Sequence, residues 1–316
     1  MNYCFGPVPS RRLGRSLGVD LLPSKTCNLN CVYCELGNSS GYTCERGEYY
    51  STGEIKDELG QVLSSSETRF DVLTFTASGE PTLHIGLGEL LLFAGTLTTR
   101  PRIVLTNSIL TSDPQVRRDL CHADIILPSL DSAVQESFRR VNRPGCPVDT
   151  ASVIDGLSSL RREFSGEIWI EILFVRGINH GRGDIDALKR AMETIMPDRI
   201  QLNTVVRPPA EQGAMPLTEE EMLEIKDLFG EPAEVIVDFN RVDNGAGSAV
   251  LEPAIMDTLR RRPMTREDLL EIFGIEASEV EDVIHDMLKT GQLRTGIFNS
   301  RKYYFPADRN RCDLNN

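Results

Sequence analysis

No stretch of this sequence stays apolar for long. The most apolar run, Gly86 to Leu97, is interrupted by Glu89 and falls well short of the roughly 20 residues a bilayer needs, so no membrane span is expected. The opening MNYCFGPVPSRRLGRSLG has no apolar core of the signal-peptide kind; prolines and arginines break it up, and the expected compartment is the cytoplasm. Basic charge is scarce. The 34 Lys and Arg against 47 Asp and Glu leave a formal net charge of −13, which argues against broad electrostatic capture of nucleic acid or an anionic membrane. It leaves open a folded RNA held in a local basic cleft. Internal repeats and low-complexity tracts are also missing, which sets aside solenoid architectures.

What remains is an ordinary globular composition, 40% hydrophobic and 26% charged over 316 residues, enough for one large α/β domain and a small second one. Short β-branched runs predict strands at Leu17–Leu22, Phe70–Thr76, Arg102–Thr106, Asp124–Pro128, Ile168–Val175 and Ile200–Val206. Helical spacing separates them. Ser51 with Glu54 reads as a capping box ahead of Ile55, Leu59 and Val62, and Thr218 with Glu221 opens another helix. Val148 to Phe164 and Asp184 to Met196 are two more. Six strands alternating with helices imply a parallel sheet covered on both faces, either open or closed into a barrel. In both cases function is expected at the C-terminal strand ends.

From about Pro253 the rhythm changes to three short helices, Pro253–Arg261, Thr265–Phe273 and Ser278–Thr290, and a ribbon turning at Asn299-Ser300. This is the pattern of a winged helix. The expected domains are 1–250 and 251–306, with a frayed tail at 307–316. The charges oppose DNA readout: Glu276, Glu279, Glu281, Asp282 and Asp286 surround the third helix against Lys289. Arg260, Arg261, Arg262, Arg301 and Lys302 could touch a nucleic-acid backbone, but docking of protein or substrate is favoured over sequence-specific DNA binding.

A reducing compartment turns the eight cysteines toward metal or redox roles rather than disulfides. Cys27, Cys31 and Cys34 follow the first strand as Cys-x3-Cys-x2-Cys. Thiolates suit iron–sulfur clusters or zinc. Structural zinc as a rule takes four protein ligands; Cys44 as a distant fourth keeps that reading open. A [4Fe–4S] cluster on three cysteines leaves one iron free for another ligand.

The loop resembles the motif of the radical S-adenosylmethionine (SAM) superfamily, including the aromatic Tyr33 before the third cysteine. The resemblance covers roughly residues 15–230 and implies a partial (β/α)6 TIM-like barrel, a [4Fe–4S] cluster on Cys27, Cys31 and Cys34, and reductive cleavage of SAM to a 5′-deoxyadenosyl radical. Tyr33 and Ile178 would lie by the adenine; alone, Tyr33 reads equally as a loop residue. Ser78-Gly79-Glu80-Pro81 is similar to the family's Gly-Gly-Glu-Pro turn, with Ser78 a departure, and implies Gly79 and Glu80 at the methionyl ammonium. Thr106-Asn107-Ser108 after the third strand is similar to the family's Thr-Asn-Gly and implies a hydrogen bond from Asn107 to SAM or substrate, and Ser129 and Asp131 match a stretch beside the ribose. Asp131 reads alternatively as the N-cap of a helix over Ser132–Arg140. Arg207 reads as an anion clamp or a surface salt bridge.

The start Phe5-Gly6-Pro7-Val8-Pro9-Ser10-Arg11-Arg12-Leu13-Gly14 resembles a largely uncharacterised radical SAM branch, broadly associated with wyosine-type tRNA modification and nitrogenase-cofactor assembly. Arg11 and Arg12 could bind an anionic substrate, but read by default as a pair of surface residues. The resemblance implies a reducing partner such as flavodoxin or ferredoxin, and a substrate that is a tRNA base, a peptide or protein side chain, or a small molecule. Cys4, Cys44, Cys121, Cys146 and Cys312 stand singly, which predicts one cluster only, with Cys146 the candidate active-site thiol. The rival classes are a zinc-binding regulator that contacts DNA and a cluster-carrying scaffold that binds no SAM.

Overall fold

The computed structural model describes residues 2–10, 12–37, 42–65, 68–76, 78–237, 251–273 and 277–307. The expected domain boundary at 250, the tail from 308 onward, Arg11, Glu276 and Cys312 lie outside them. Strand β1 (Cys4–Ser10) turns back as an antiparallel hairpin with β2 (Gly14–Asp20). From there helices and strands alternate: α1 (Thr52–Ser64), β3 (Val72–Thr76), α2 (Leu87–Leu97), β4 (Arg102–Thr106), α3 (Pro114–Leu120) and β5 (Ile125–Pro128). Then follow α4 (Gln135–Val141), α5 (Thr150–Glu163), β6 (Glu167–Phe174), α6 (Arg182–Ile195), β7 (Arg199–Thr204), α7 (Glu219–Phe229) and β8 (Ala233–Val235). Sheet order follows chain order, and β2 through β8 are parallel.

The six expected strands are all present. β1 escaped notice because Pro7 and Pro9 read as a loop, yet proline is tolerated on the edge strand that β1 forms. Ser51 caps α1 by accepting from the Glu54 amide, but the expected capping box is only half made, since the Glu54 carboxylate accepts from the Tyr3 hydroxyl instead. At α7 the box of Thr218 and Glu221 is complete.

Side-chain alternation along the strands creates two interiors. Along β6, Ile168, Ile170, Ile172 and Phe174 face the helices and join the main core, while Trp169, Glu171 and Leu173 face the barrel interior. Toward the N-terminal strand ends that interior is plugged by Val72, Ile103, Leu127 and Trp169, with Leu13 from the β1–β2 turn packed against them. Above the plug it becomes polar.

The C-terminal segment comprises α8 (Leu251–Arg261), β9 (Met264–Thr265), α9 (Arg266–Phe273), α10 (Ala277–Lys289), β10 (Leu293–Phe298) and β11 (Arg301–Pro306), with the short sheet ordered β10-β11-β9. It has its own core around Ile255, Leu259, Leu269 and Ile284. It also meets the barrel. Helix α9 lies against β1, Tyr303 donates its hydroxyl to the Val206 carbonyl at 2.9 Å, and Phe298 packs into an apolar cluster with Tyr33.

Candidate functional site

The cysteine loop leaves β2 and is pinned to the ends of its neighbours. Thr26 bridges Gly79, the Glu80 amide donates to the Thr26 carbonyl at 3.0 Å, and Val32 donates to the Val141 carbonyl at 2.9 Å. A Cβ on Gly79 would lie 1.7 Å from the Thr26 carbonyl oxygen, so the missing side chain admits the loop's own backbone. Ser78, where the family pattern has glycine, donates its amide and hydroxyl to the two Asp20 oxygens at 2.9 and 2.6 Å.

Each cysteine sulfur accepts from a different part of the fold. Cys27 Sγ accepts from the Leu29 amide at 3.4 Å and from Asn107 Nδ2 at 3.6 Å. Cys31 Sγ accepts from Asn142 Nδ2 at 3.4 Å, and Cys34 Sγ from Lys25 Nζ at 2.9 Å. Burial pushes the Cys27 thiol up to about 12, with the Glu80 carboxylate adding to the rise. Cys31 is raised further by burial, and then by Asp131 and the two other cysteines. The three thiols therefore sit close enough to feel one another. Metal binding here would release protons.

The donor set fits an iron–sulfur cluster. Its ligands are soft, they share one loop, and Asn28 Nδ2, next in sequence to Cys27, is buried with no partner among the described residues. Asn28 Oδ1 is engaged by Asn107 Nδ2 at 2.7 Å.

Two of the expected carboxylates are held by protein donors. Glu80, 2% exposed, accepts from the Thr82 amide and hydroxyl, the Thr106 hydroxyl and the Asn107 amide at 2.6–3.0 Å. Asp131 is equally buried. Its Oδ2 accepts from the Tyr33 hydroxyl at 2.5 Å and from Asn142 Nδ2 at 2.6 Å, and its Oδ1 from the Leu173 amide at 2.9 Å. Burial raises the Asp131 carboxyl to about 6 against the pull of these donors. Asp131 is not a helix N-cap, because α4 begins at Gln135 with Val134 in that place.

The remaining expected residues line open space. Ser129 faces a cavity of about 480 Å³ at the C-terminal strand ends, and among the described residues its hydroxyl has no partner. Tyr33 and Ile178 pack against one apolar cluster of Val32, Val141, Val175 and Val205. Arg207 is not a surface bridge: mostly buried, it pairs with Glu35 at 3.3 Å at the junction with the C-terminal segment and lines the cavity. Arg12 is not a surface residue either. Its Nη1 reaches Glu171 Oε2 at 2.8 Å and Gln201 Oε1 at 2.9 Å inside the barrel.

Cys146 is not a free thiol. It forms a disulfide with Cys44, which corrects both its reading as an active-site thiol and that of Cys44 as a metal ligand. The pairing follows from the cysteine loop: Thr43 donates to the Cys27 carbonyl and Gly145 to the Asn28 carbonyl, bringing both segments to one place. Cys4 is buried in the main core. Sequence reasoning missed Asn142 and Asn179. Fully buried Asn179 ties Asp131 to β6 through the Asp131 and Leu173 carbonyls, both at 2.8 Å. Neither residue belongs to a local pattern that would have marked it.

The family model described as the Radical SAM superfamily matches residues 21–188. Over 298 residues the chain is 34% identical to a protein named GTPase Obg from Brachyspira hyodysenteriae, covering 93% of this chain and 44% of that protein. The chain thus spans less than half of that relative's length. It is 29% identical to a UPF0026 protein of Methanocaldococcus jannaschii over 323 residues, 98% of each. In fold it resembles a radical SAM methyltransferase from Sphaerobacter thermophilus, with a TM-score of 0.51 at 14% identity over 70% of this chain and 66% of that one.

Proposed function

We propose, from the premise that this chain belongs to the radical SAM superfamily, that it holds one [4Fe–4S] cluster on Cys27, Cys31 and Cys34 and cleaves SAM reductively. The observation that carries this reading is the loop itself: three thiols on one short loop, each accepting a hydrogen bond from a separate donor. Cys27, Cys31 and Cys34 would hold the cluster, which would supply the electron for reductive cleavage of SAM to a 5′-deoxyadenosyl radical.

The protein's residues bind and orient. Tyr33 and Ile178 offer the apolar wall for the adenine, and the Ser129 hydroxyl is open for the ribose. Asp131 works through Tyr33, holding its ring in place from behind. Glu80 works through Asn107, whose amide it fixes, so that Asn107 Nδ2 faces the Cys27 sulfur. Gly79 keeps the SAM-side turn close to the cysteine loop. Lys25, Asn107 and Asn142 donate to the ligand sulfurs and so tune the cluster's electron affinity.

A cluster of this kind is reduced by a carrier such as flavodoxin or ferredoxin, and a cytoplasmic setting follows from that need. No helix among the described residues is long and apolar enough to cross a membrane. Family association favours a tRNA base as substrate, with a peptide side chain or a small molecule as alternatives. The division at 250 and a winged-helix-like C-terminal unit fit the separate core around Ile255 and Leu259. Glu281, Asp282 and Asp286 make that unit a poor partner for DNA phosphates.

Anaerobic reconstitution followed by SAM and dithionite tests the reading. The wild type should hold iron and form 5′-deoxyadenosine, and Cys31→Ala should do neither. Iron-loaded wild type that forms no product would favour a scaffold, and stoichiometric zinc without iron a regulator.

A further inference from the structure

Above the apolar plug the barrel interior carries an ion pair to which the proposed function assigns no role. The turn between β1 and β2 enters the barrel: Leu13 completes the plug, and Arg12 reaches over it to Glu171 on β6 and Gln201 on β7. Asn203 Nδ2 holds the other Glu171 oxygen at 2.7 Å. The Arg12 and Glu171 side chains remain 17% and 16% exposed, and both line the 480 Å³ cavity together with Ser129 and Asp131. Among the described residues, Arg12 Nε and Nη2 meet no acceptor.

Burying an ion pair costs desolvation that an apolar pair of similar size would avoid. This one lies where the plug gives way to the cavity, and it presents unused guanidinium donors to that space. An isolated anion docking on the open Arg12 donors would lie beside the Glu171 carboxylate, which Arg12 Nη1 already holds at 2.8 Å. A lone cation would meet the reverse problem. A molecule carrying both charges on neighbouring atoms satisfies each partner, its carboxylate on Arg12 and its ammonium on Glu171. A polyanion is disfavoured more broadly, because six carboxylate residues and four arginines line the cavity, and one of those arginines, Arg207, is committed to Glu35.

We propose that Arg12 and Glu171, oriented by Gln201 and Asn203, bind the co-substrate, and that it is a small α-amino-acid zwitterion rather than a nucleic acid. This rests on the radical SAM reading of the same cavity and takes its small-molecule alternative in place of the tRNA base. The test uses the cluster-loaded protein saturated with SAM, with iron content and bound SAM measured in each sample. The proteinogenic L-amino acids and bulk tRNA are titrated separately by calorimetry.

At least one free amino acid should bind without displacing SAM. Its methyl ester and its N-acetyl derivative should bind wild type about tenfold or more weakly, as should the free amino acid to Arg12→Gln and Glu171→Gln. The derivatives keep the test decisive if either variant fails to fold. The proposal is overturned if none of these amino acids binds, if binding displaces SAM, if the derivatives bind as well as the parent, or if tRNA binds instead. Absent iron and SAM binding in wild type would sink the radical SAM reading; intact iron and SAM without amino-acid binding would sink only this inference.

Discussion

Gly79 is where a single atom decides the site. The Thr26 carbonyl passes so near that a Cβ would stand 1.7 Å from its oxygen, and both groups belong to backbone held by the sheet. Gly79→Ala should therefore destabilise toward the top of the ~1–3 kcal/mol range of overpacking, read from urea unfolding, and should also lower iron loading as the loop shifts. Wild-type stability and iron content in the variant would mean the loop can move aside. The glycine was legible in the sequence, but its partner was not: the motif points to a ligand, whereas the structure shows a neighbouring carbonyl. Asp131 and Glu80 teach the same lesson. Their positions in the motif are as expected, and their carboxylates are taken up by protein donors brought from other strands.

Helix ends show how far local chemistry reaches. The Thr218 box on α7 was legible because its two halves lie three residues apart and both form. At α1 a tertiary contact, the Tyr3 hydroxyl, takes the Glu54 half. At α7 the Glu221 carboxyl is held down to about 2, chiefly by the Arg176 guanidinium and then by the Thr218 amide. A depressed folded value stabilises above the usual carboxylate range, and that contribution disappears as pH falls through it. Glu221→Gln should flatten the fall in stability between about pH 5 and about pH 3, by well under 1 kcal/mol because the pair is exposed. Parallel urea titrations of variant and wild type check this; identical slopes would show the pair contributes nothing. Asp131, raised to about 6 by burial, has the opposite sign: its contribution is full at low pH and lost as pH rises through that value.

At the scale of the whole molecule, the C-terminal segment closes on the barrel rather than standing apart. Tyr303 reaches the Val206 carbonyl, Phe298 joins the cluster around Tyr33, and Arg207 pairs with Glu35 just after Cys34. Tyr303→Phe should cost about 0.5–1.5 kcal/mol and speed amide exchange around residues 204–207. Unchanged protection there would show that this contact does not couple the two parts.

The sequence by itself determined the cysteine loop, the strand–helix alternation and the Thr218 cap, since these depend on spacings of a few residues and on backbone hydrogen bonds nearby. Tertiary structure decided which groups meet across long separations. Tyr33 and Asp131 lie 98 residues apart, Cys44 and Cys146 102, and Arg12 and Glu171 159. Such contacts leave no periodic trace, because they arise only when the curved sheet brings its strand ends and the β1–β2 turn around one interior. An arginine that reads as surface therefore becomes, in the folded barrel, part of its polar lining.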